Sequence, residues 1–485
     1  ITVGLGGSSI SSNTALGNNA LAVNSSGAYN TAVGAQAGSS LTSGVTSTFV
    51  GQGAGQSATT GSDNTALGTA ALLNTTTGGQ NTAIGRQALQ LNTTANYNTA
   101  VGYQAGYSNT TGDITALGYQ AGYGNTTGVY NLAIGNLALR TVSTGNANTA
   151  LGREAAYSTT TANDNVAIGT SAFYANTTGS SSVAIGKQAL YSNTTASYNT
   201  AVGYQAGYSG TTGTPNVLVG AFAGYSNTTG YRTTFVGYGA GYNNTTAGYN
   251  VGIGYSALSA NSTAEDNVAV GPFALNSTTA QSNTAIGRSA GYSNSTGSLM
   301  LAAGYQALFY NTTGTYNTAL GAQALFNNTT ASNNTAVGYQ AGYSNTTGAR
   351  NLYVGVQSGY ANTTGNDNVG IGYNANGANT TSTGSDNVAV GNSALSLNTT
   401  GAYNTALGKQ SLYNNTTASQ NTAVGYQAGY SNTTGIDLTA VGYQAAYNNT
   451  GDYNTAIGRG AGYSTTSGFS NTSLGRTALN SNTTG

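Results

Sequence analysis

The segment NTAVGYQAGYSNTTG at residues 98–112 decides the fold, because it recurs along almost the whole chain. The same letters return at residues 334–348 and 421–435, and with one change at residues 199–213. In nearly every copy an aliphatic residue precedes a glycine, and over most of the chain these steps follow one another every 17 residues. A fixed internal period of this length indicates a solenoid, in which each short unit packs only on its neighbours.

The start of each repeat has the pattern of a β-strand. In the segment at residues 165–169, the side chains of Val166 and Ile168 point to one face and that of Ala167 points to the other. Thr or Val occupies the first of these positions in most repeats, and β-branched residues suit strands. We expect the aliphatic face to lie inside the solenoid, where like side chains stack from coil to coil.

A second short strand is predicted over the Tyr-Gln-Ala-Gly-Tyr part of the repeat, residues 103–107 in the first copy. The ring that closes this segment would stack about 4.8 Å from its counterpart in the next coil, which predicts an aromatic ladder. The Asn that opens most repeats would form a second ladder through its amide. The rings of the predicted aromatic ladder include Tyr107, Tyr123, Tyr191, Tyr208, Tyr225, Tyr242, Tyr292, Phe309, Phe326, Tyr343 and Tyr430.

We therefore predict an all-β fold: one elongated parallel β-solenoid (β-roll) that runs continuously over residues 1–485. It has about 28 coils of 17 residues, with two short strands per coil. The 29 anchor glycines from Gly4 to Gly475 define 28 steps, which gives about 135 Å at ~4.8 Å per coil. Low-complexity disorder is the alternative for a chain rich in Gly and Asn, but disorder gives no reason for a regularly spaced aliphatic residue.

The chain begins and stops within a repeat, at Ile1–Gly4 and Asn482–Gly485. We expect it to be a segment of a longer protein. Uncapped ends of this kind would allow solenoids to join end to end as a filament, because terminal repeats normally carry polar caps.

Composition narrows the function. Only 4% of residues are charged, with 10 Lys+Arg against 10 Asp+Glu, so binding to nucleic acid through phosphate contacts is not expected. There is no apolar run long enough for a membrane-spanning helix. His and Cys are both absent, which removes the usual catalytic bases, nucleophiles and soft metal ligands. We expect no enzyme activity, no cofactor and no metal site.

Charged residues nevertheless keep fixed places in the repeat. Lys or Arg can follow the anchor glycine directly, where Tyr is common. This place suits contacts between chains or with acidic glycans, and the alternative, which we favour, is simple variation at a Tyr position. Asp can stand five residues before the anchor glycine, but the copies are too far apart to converge on one site. The basic set is Arg86, Arg153, Lys187, Arg288, Lys409, Arg459 and Arg476, and the acidic set is Asp63, Asp113, Asp164, Asp266, Asp367, Asp386 and Asp437.

The Asn-Thr-Thr turns match the acceptor pattern for N-glycosylation. The match recurs at one place in the repeat, and a chain with few charges would gain solubility from attached glycans. We therefore expect exposed turns and covalent glycans, on Asn or on the neighbouring Thr. The candidate residues are Asn74, Asn92, Asn109, Asn125, Asn176, Asn193, Asn227, Asn244, Asn261, Asn294, Asn311, Asn345, Asn362, Asn398, Asn415 and Asn432.

Small residues occupy the other face of the first strand, as at Ala100, Ala116 and Ala133. If the aliphatic face lies inside, this Ala/Gly face forms a shallow stripe along the outside of the solenoid. Long exposed stripes usually mark an interface. We expect copies of the chain to pack against one another through it, and the alternative is a stripe that lies in solvent.

The Asn-Val-Ala-Ile-Gly unit resembles the head repeat of the YadA-like trimeric autotransporter adhesins. Clear instances are Asn165–Gly169, Ser182–Gly186 and Asn267–Gly271, each followed by a small residue such as Ala172, Ala189 or Ala274. The resemblance covers essentially the whole chain. It implies a left-handed parallel β-roll, a homotrimer and a place at a cell surface. The repeat here is about three residues longer, because the Asn-Thr-Thr turn is added.

Together these features predict a structural protein: an extracellular or cell-surface fibre or adhesin rod, assembled from copies of itself, that presents repeated turns to an unknown ligand. A phage or virus tail-fibre shaft is the alternative. An ice-binding solenoid is a third, less favoured hypothesis, since it needs a flat face of Thr and the paired Thr residues here lie in turns.

Overall fold

In the computed structural model the chain forms two compact units, Ile1–Ala247 and Gly248–Gly485. The structure describes residues 3, 4, 6, 7, 10–377 and 381–484, so Ile1, Thr2 and Gly485 of the predicted chain ends lie outside the described residues. Each unit is a stack of coils, and no helix occurs in the described residues. That a single array runs unbroken over residues 1–485 stays a prediction.

One short strand per coil builds the sheet of each unit. The strands of the first unit, β1 to β15, are Val3–Gly4, Thr14–Leu16, Thr31–Val33, Thr48–Val50, Thr65–Leu67, Thr82–Ile84, Thr99–Val101, Ile114–Leu117, Asn131–Ile134, Thr149–Leu151, Val166–Ile168, Val183–Ile185, Thr200–Val202, Asn216–Val219 and Thr233–Val236. The strands of the second unit, β16 to β29, are Val251–Ile253, Val268–Val270, Thr284–Ile286, Leu301–Ala303, Thr318–Leu320, Thr335–Val337, Leu352–Val354, Val369–Ile371, Val388–Val390, Thr405–Leu407, Thr422–Val424, Thr439–Val441, Thr455–Ile457 and Thr472–Leu474.

Successive strands pair in parallel and in register. In the step from β6 to β7, Thr82 lies opposite Thr99, Ala83 opposite Ala100 and Ile84 opposite Val101. From β2 to β15 and from β16 to β29 the described pairs follow this pattern, and only β1 pairs antiparallel, with β2. The prediction of a parallel β-solenoid with coils of about 17 residues is confirmed. Its handedness and the number of chains that assemble stay predictions.

Changes in coil length fall outside the strands. The step from β23 to β24 is longer, and residues 378–380 within it lie outside the described part. The chain regains register at Ser382, which pairs with Asn362 and accepts a hydrogen bond from the Thr363 N–H (2.8 Å). The strand pairing is undisturbed on both sides, with Val369 opposite Val388.

The prediction of two strands per coil is wrong, because the Tyr-Gln-Ala-Gly-Tyr segment is a chain of turns. Positive φ recurs at every second residue, at Gly102 (136°), Gln104 (54°) and Gly106 (58°). A strand needs negative φ throughout. The segment still bonds to both neighbouring coils: the Gln104 N–H donates to the Arg86 carbonyl (3.0 Å), and the Gly106 N–H donates to the Ala121 carbonyl (2.9 Å).

The strand also faces the opposite way from the prediction. Ala100, at the centre of β7, is fully buried, whereas Thr99 and Val101 on either side remain partly exposed. The turn segment lies close under the strand and brings Ala105 into the same core. The space between the two walls therefore admits Ala, and the aliphatic side chains point outward.

Buried amides form two ladders through the core. In the first, the N–H and the Nδ2 of Asn98 both donate to Oδ1 of Asn81 (3.0 Å each), and Asn81 Nδ2 donates to the Ala95 carbonyl (2.9 Å). In the second, Asn125 Nδ2 donates to Asn109 Oδ1 (2.9 Å). The predicted Asn ladder is confirmed, and the second ladder, built from the turn Asn, is an addition. Paired amides let a polar core exclude water at little cost.

At the strand centre, aromatic side chains enter the core where glycines make room. Phe49 takes the strand-centre place that Ala100 has in β7, and it is fully buried. A Cβ on Gly38 would lie 2.8 Å from the Phe49 ring, and a Cβ on Gly55 would also clash with it. Phe235 and Tyr353 stand in the same way between pairs of core glycines. Volume is thus conserved between adjacent coils, as close packing requires.

Tyr353 leaves a polar atom buried. Its hydroxyl lies near the Asn368 side chain but makes no hydrogen bond of good geometry with the described residues, and its side chain is fully buried. Burial raises the pKa of the Tyr353 phenol above its ordinary range. An unsatisfied buried hydroxyl costs on the order of 1 kcal/mol, and Phe49 and Phe235 fill the same place without one.

We expect Tyr353→Phe to stabilise the second unit by about 1 kcal/mol at neutral pH. Below pH ~10 the Tyr353 phenol is neutral in both the folded and the unfolded chain, so its titration does not lower the free energy of unfolding. As pH rises further, only the unfolded wild-type chain ionises at this residue, and stability falls by up to ~1.4 kcal/mol per pH unit. Urea unfolding of the wild type and of Tyr353→Phe at neutral and alkaline pH measures this difference. If the free energies of unfolding of the two proteins fell equally with rising pH, the prediction would be contradicted.

Candidate functional surfaces

The outward residues of the strands form one continuous surface in each unit, which we call the outer strand face. In each coil it consists of the two residues that flank the buried strand centre, such as Thr99 and Val101. Many of its aliphatic members are well exposed, for example Leu67 (48%), Leu151 (43%) and Ile286 (48%). Because the strands are in register, these side chains form two straight columns with a spacing of ~4.8 Å.

The predicted Ala/Gly interface is therefore wrong. Ala100, Ala116, Ala133, Ala150 and Ala201 are all fully buried within their own coils. They offer no surface to a second chain. Strand alternation was identified correctly, but the outer strand face carries the aliphatic residues and not the small ones. Any association through the sheet has to use the outer strand face, which consists of one aliphatic column and one column of mostly Thr and Val.

The predicted aromatic ladder is confirmed on the side of the coils next to the turns. In the first unit, successive rings from Tyr157 to Tyr242 stack with centroids 5.1–5.2 Å apart. In the second unit, Phe326 and Tyr343 stack at 5.1 Å with planes 2° apart. Burial and the neighbouring rings raise the pKa of Tyr174. The rings are half-buried, so the ladder protects the coil edge and still presents ring edges to solvent.

Arg140 takes the place of a ring in this ladder. Its guanidinium carbon lies 5.6 Å from the ring centroids of both Tyr123 and Tyr157, and its Nη1 donates to the Tyr157 hydroxyl (3.2 Å). A planar guanidinium stacks on aromatic faces much as another ring does. The ladder thus continues through this coil.

The basic residues that follow anchor glycines lie beside exposed rings. Arg86 lies 5.9 Å from the Tyr103 ring centroid, and Lys187 lies 5.8 Å from that of Tyr204. Arg153 instead pairs with Glu154 at 3.2 Å. These contacts join neighbouring coils of one chain and favour the interpretation of simple variation at a Tyr position.

The acidic residues do not converge, as their spacing indicated. Most of them share a positive φ, for example Asp63 (60°) and Asp164 (57°), a conformation that Asp and Asn tolerate better than most residues. Asp367 accepts two hydrogen bonds from Arg350, at 2.7 and 2.6 Å, and this pairing holds the pKa of the Asp367 carboxyl below its usual range. The described residues hold no cluster of three or more metal-ligating side chains.

The structure places the candidate glycosylation residues inside the coils, and the predicted exposure of these Asn side chains is wrong. Fifteen of the sixteen are buried, and Asn74 is half-buried. Each buried Nδ2, the atom that would carry a glycan, donates to a backbone carbonyl three residues on; examples are Asn109 to Gly112 (3.0 Å) and Asn345 to Gly348 (2.9 Å). Whether the chain is glycosylated stays a prediction, and the exposed Thr residues are better placed for it.

Those exposed residues are the second Thr of most Asn-Thr-Thr turns. Thr111, Thr178 and Thr195 are examples, and their side chains point to solvent. The first Thr of the turn is half-buried instead, since its hydroxyl bonds to the next coil: Thr110 Oγ1 donates to the Thr126 carbonyl (3.0 Å). The first Thr of the turn therefore links neighbouring coils, whereas the second presents its side chain to solvent.

Within the part of the chain that the structure describes, no helix has the length and apolar character needed to cross a membrane. No protein-family model matches the chain, and a search of curated proteins finds no match.

Proposed function

We propose that this β-solenoid repeat protein is a structural protein that associates with copies of itself through the outer strand face. The product would be a stiff extracellular or cell-surface fibre or adhesin shaft, with three chains as the expected number. The observation that carries the proposal is the outward position of the aliphatic column, with Leu67, Leu151 and Ile286 each more than two-fifths exposed.

The size of this surface supports an interface. Fourteen strands of the first unit, β2 to β15, place two columns side by side. At ~4.8 Å per step the two columns cover on the order of 600 Å², and the aliphatic column and the Thr methyl groups of its neighbour form the apolar part, before the flanking Tyr residues are added. Soluble monomers rarely expose more than a few hundred Å² in one apolar patch. Stable interfaces bury roughly 800 Å² per partner.

The spacing of the columns selects the partner. Each gap between successive side chains repeats at ~4.8 Å, so only a surface with the same repeat fills every gap. A second copy of this chain has that repeat. The resemblance to YadA-like adhesin heads, carried by the segments at residues 165–169, 182–186 and 267–271, supports three copies around one axis.

Lysine at two outer-strand positions tests the proposal. Ile168→Lys with Ile185→Lys adds two charges to the aliphatic column, where burial of unpaired charge opposes association. Thr178→Lys with Thr195→Lys is the matched control, because it adds the same charges to the exposed turns of the same two coils. We expect wild type and control to sediment as oligomers and the strand-face variant as a folded monomer.

Two results would contradict self-association through this face. One is a monomeric wild-type protein at its highest soluble concentration. The other is an oligomer that survives the strand-face substitutions. Circular dichroism of each variant establishes that the coils remain folded. A tail-fibre shaft would use the same association and stays the alternative.

An ice-binding solenoid gains support from one observation. Seven successive strands, β2 to β8, carry Thr on the outer strand face, at Thr14, Thr31, Thr48, Thr65, Thr82, Thr99 and Thr115. This Thr column lies in the strands, apart from the paired Thr residues of the turns. We nevertheless favour association, because the neighbouring column is fully aliphatic. Lack of any effect on ice recrystallisation would remove this second hypothesis.

A further inference from the structure

Tyr310 breaks the repeat at a single exposed place. The residue after the ladder ring is Ser, Asn or another non-aromatic residue in the other coils, as at Ser293, Asn327 and Ser344. The Tyr310 ring packs edge-on against Phe309 (4.7 Å) and Phe326 (5.1 Å), so the aromatic ladder fixes its orientation. Its side chain remains 46% exposed. A rigid, exposed ring is therefore added to an otherwise regular surface.

The ring forms one wall of a groove in the second unit, which we call the Tyr310 groove. Its floor consists of Thr312, Thr329 and Thr346, and its volume is about 570 Å³. Each floor hydroxyl donates to a carbonyl of the next coil, with Thr312 Oγ1 bonded to Thr329 O (3.0 Å) and Thr329 Oγ1 to Thr346 O (3.1 Å). Because the hydroxyls are used in this way, the floor presents mainly methyl groups.

The rim of the groove is polar and uncharged. Asn327 and Ser344 line it, and their side chains make no hydrogen bond with the described residues. Asp, Glu, Lys and Arg are absent from the lining. The groove extends over four coil steps, roughly 19 Å at ~4.8 Å per step. An apolar floor, an aromatic wall and a neutral hydrogen-bonding rim are the elements of a binding site for a neutral ligand.

We propose that the Tyr310 groove binds a neutral, linear oligosaccharide. The C–H face of a sugar ring is apolar and can stack on the Tyr310 ring, while its hydroxyls lie at the edges and reach Asn327 and Ser344. An alkyl chain would leave that polar rim without partners. A charged glycan would find no opposite charge in the lining. The length of the groove favours several linked sugars over one.

The test uses the full chain on an array of linear oligosaccharides, neutral and acidic, followed by calorimetry with the best neutral binder. Tyr310→Ser restores the residue found at Ser293 and Ser344, so the coil should fold normally. Tyr316→Ser is the control, since Tyr316 is an exposed ring of the next turn (58%) outside the groove. We expect Tyr310→Ser to weaken binding about tenfold, the effect of one stacked ring, and Tyr316→Ser to leave it unchanged.

Three outcomes would overturn the proposal: no neutral oligosaccharide binds, only acidic glycans bind, or Tyr310→Ser binds as tightly as wild type. Tyr310→Phe keeps the ring and is expected to retain most of the affinity. The proposal does not depend on self-association, because the groove lies beside the turns and not on the outer strand face.

Discussion

Replacing the anchor glycine Gly51 with alanine is expected to destabilise the first unit by on the order of 4 kcal/mol. Gly51 has a φ of 135°, which L side chains rarely adopt, and a Cβ there would lie 2.6 Å from both the carbonyl carbon and oxygen of Gly68. The obstacle is the backbone of the next coil, which the strand ladder holds in place. It cannot turn aside as a flexible side chain would.

Gly53→Ala is the matched control, two residues away in the same coil. Gly53 also has a positive φ (67°), but it lies in the left-handed region that Gln104 (54°) occupies at the same place in another coil, so the backbone strain of an added side chain is smaller there. A Cβ there would meet only the ends of the Gln56 and Leu73 side chains, both at 3.3 Å. We expect a cost of about 1 kcal/mol. Urea unfolding, with hydrogen exchange across this coil, measures the loss of stability in both variants. Equal losses would show that contact with the next coil is not the reason why the anchor position requires glycine.

Phe49→Ala is expected to cost about 3–5 kcal/mol, and Gly55→Leu is expected to rescue it. Removing the buried ring leaves a cavity. Gly55 lines that cavity, and Leu occupies the equivalent place in other coils with similar φ, as at Leu89 (49°). In the wild-type background Gly55→Leu should itself be destabilising by a few kcal/mol, because its Cβ meets the Phe49 ring.

The double variant has Ala and Leu at these two places. Ala83 and Leu89 form the same combination two coils further along the chain. We expect the free energy of unfolding of the double variant to lie within about 1–2 kcal/mol of the wild-type value. The two contacting positions would then have a favourable coupling energy of several kcal/mol. Thermal or urea unfolding of the four proteins gives the coupling directly. Additive costs would mean that core volume is not shared between these places.

The features that depend only on period were predictable from sequence. In-register pairing such as Thr82 with Thr99, the stacked rings from Tyr157 to Tyr242, and the Asn81–Asn98 ladder all follow when like residues lie one above another. Those predictions needed the spacing alone. They did not require knowledge of which side chains lie inside.

Which strand face lies inside was not predictable from alternation, since both faces alternate equally well. The interior width is set by the turn segment, and its alternating φ at Gly102, Gln104 and Gly106 leaves no clear trace in composition. The sizes of the residues at the core positions did carry this information. Phe49 follows Gly38 and precedes Gly55, and Tyr353 lies likewise between Gly342 and Gly359. Such matched pairs indicate that the strand centre faces the core.

Which side chains of the turns lie inside was likewise not predictable from the sequence. Asn109 lies in a polar Asn-Thr-Thr segment, which predicts exposure, but its amide turns inward to bond Gly112 and Asn125. The groove at Tyr310 is different, because its signal was a departure from the repeat. An aromatic residue that appears once at a position otherwise held by non-aromatic residues can be found without a structure, whereas the Thr methyl groups on the floor of the groove cannot.

The central claim is that the small side of each strand faces inward and the aliphatic side faces outward. Two adjacent lysine substitutions test it most directly. Ala150 is fully buried and Leu151 is 43% exposed. Ala150→Lys should cost several kcal/mol, because it places an unpaired charge in a packed core, whereas Leu151→Lys should change the urea midpoint only slightly. Cooperative unfolding with retained β-sheet signal for Leu151→Lys and its loss for Ala150→Lys is the predicted result. The reverse pattern would contradict the account.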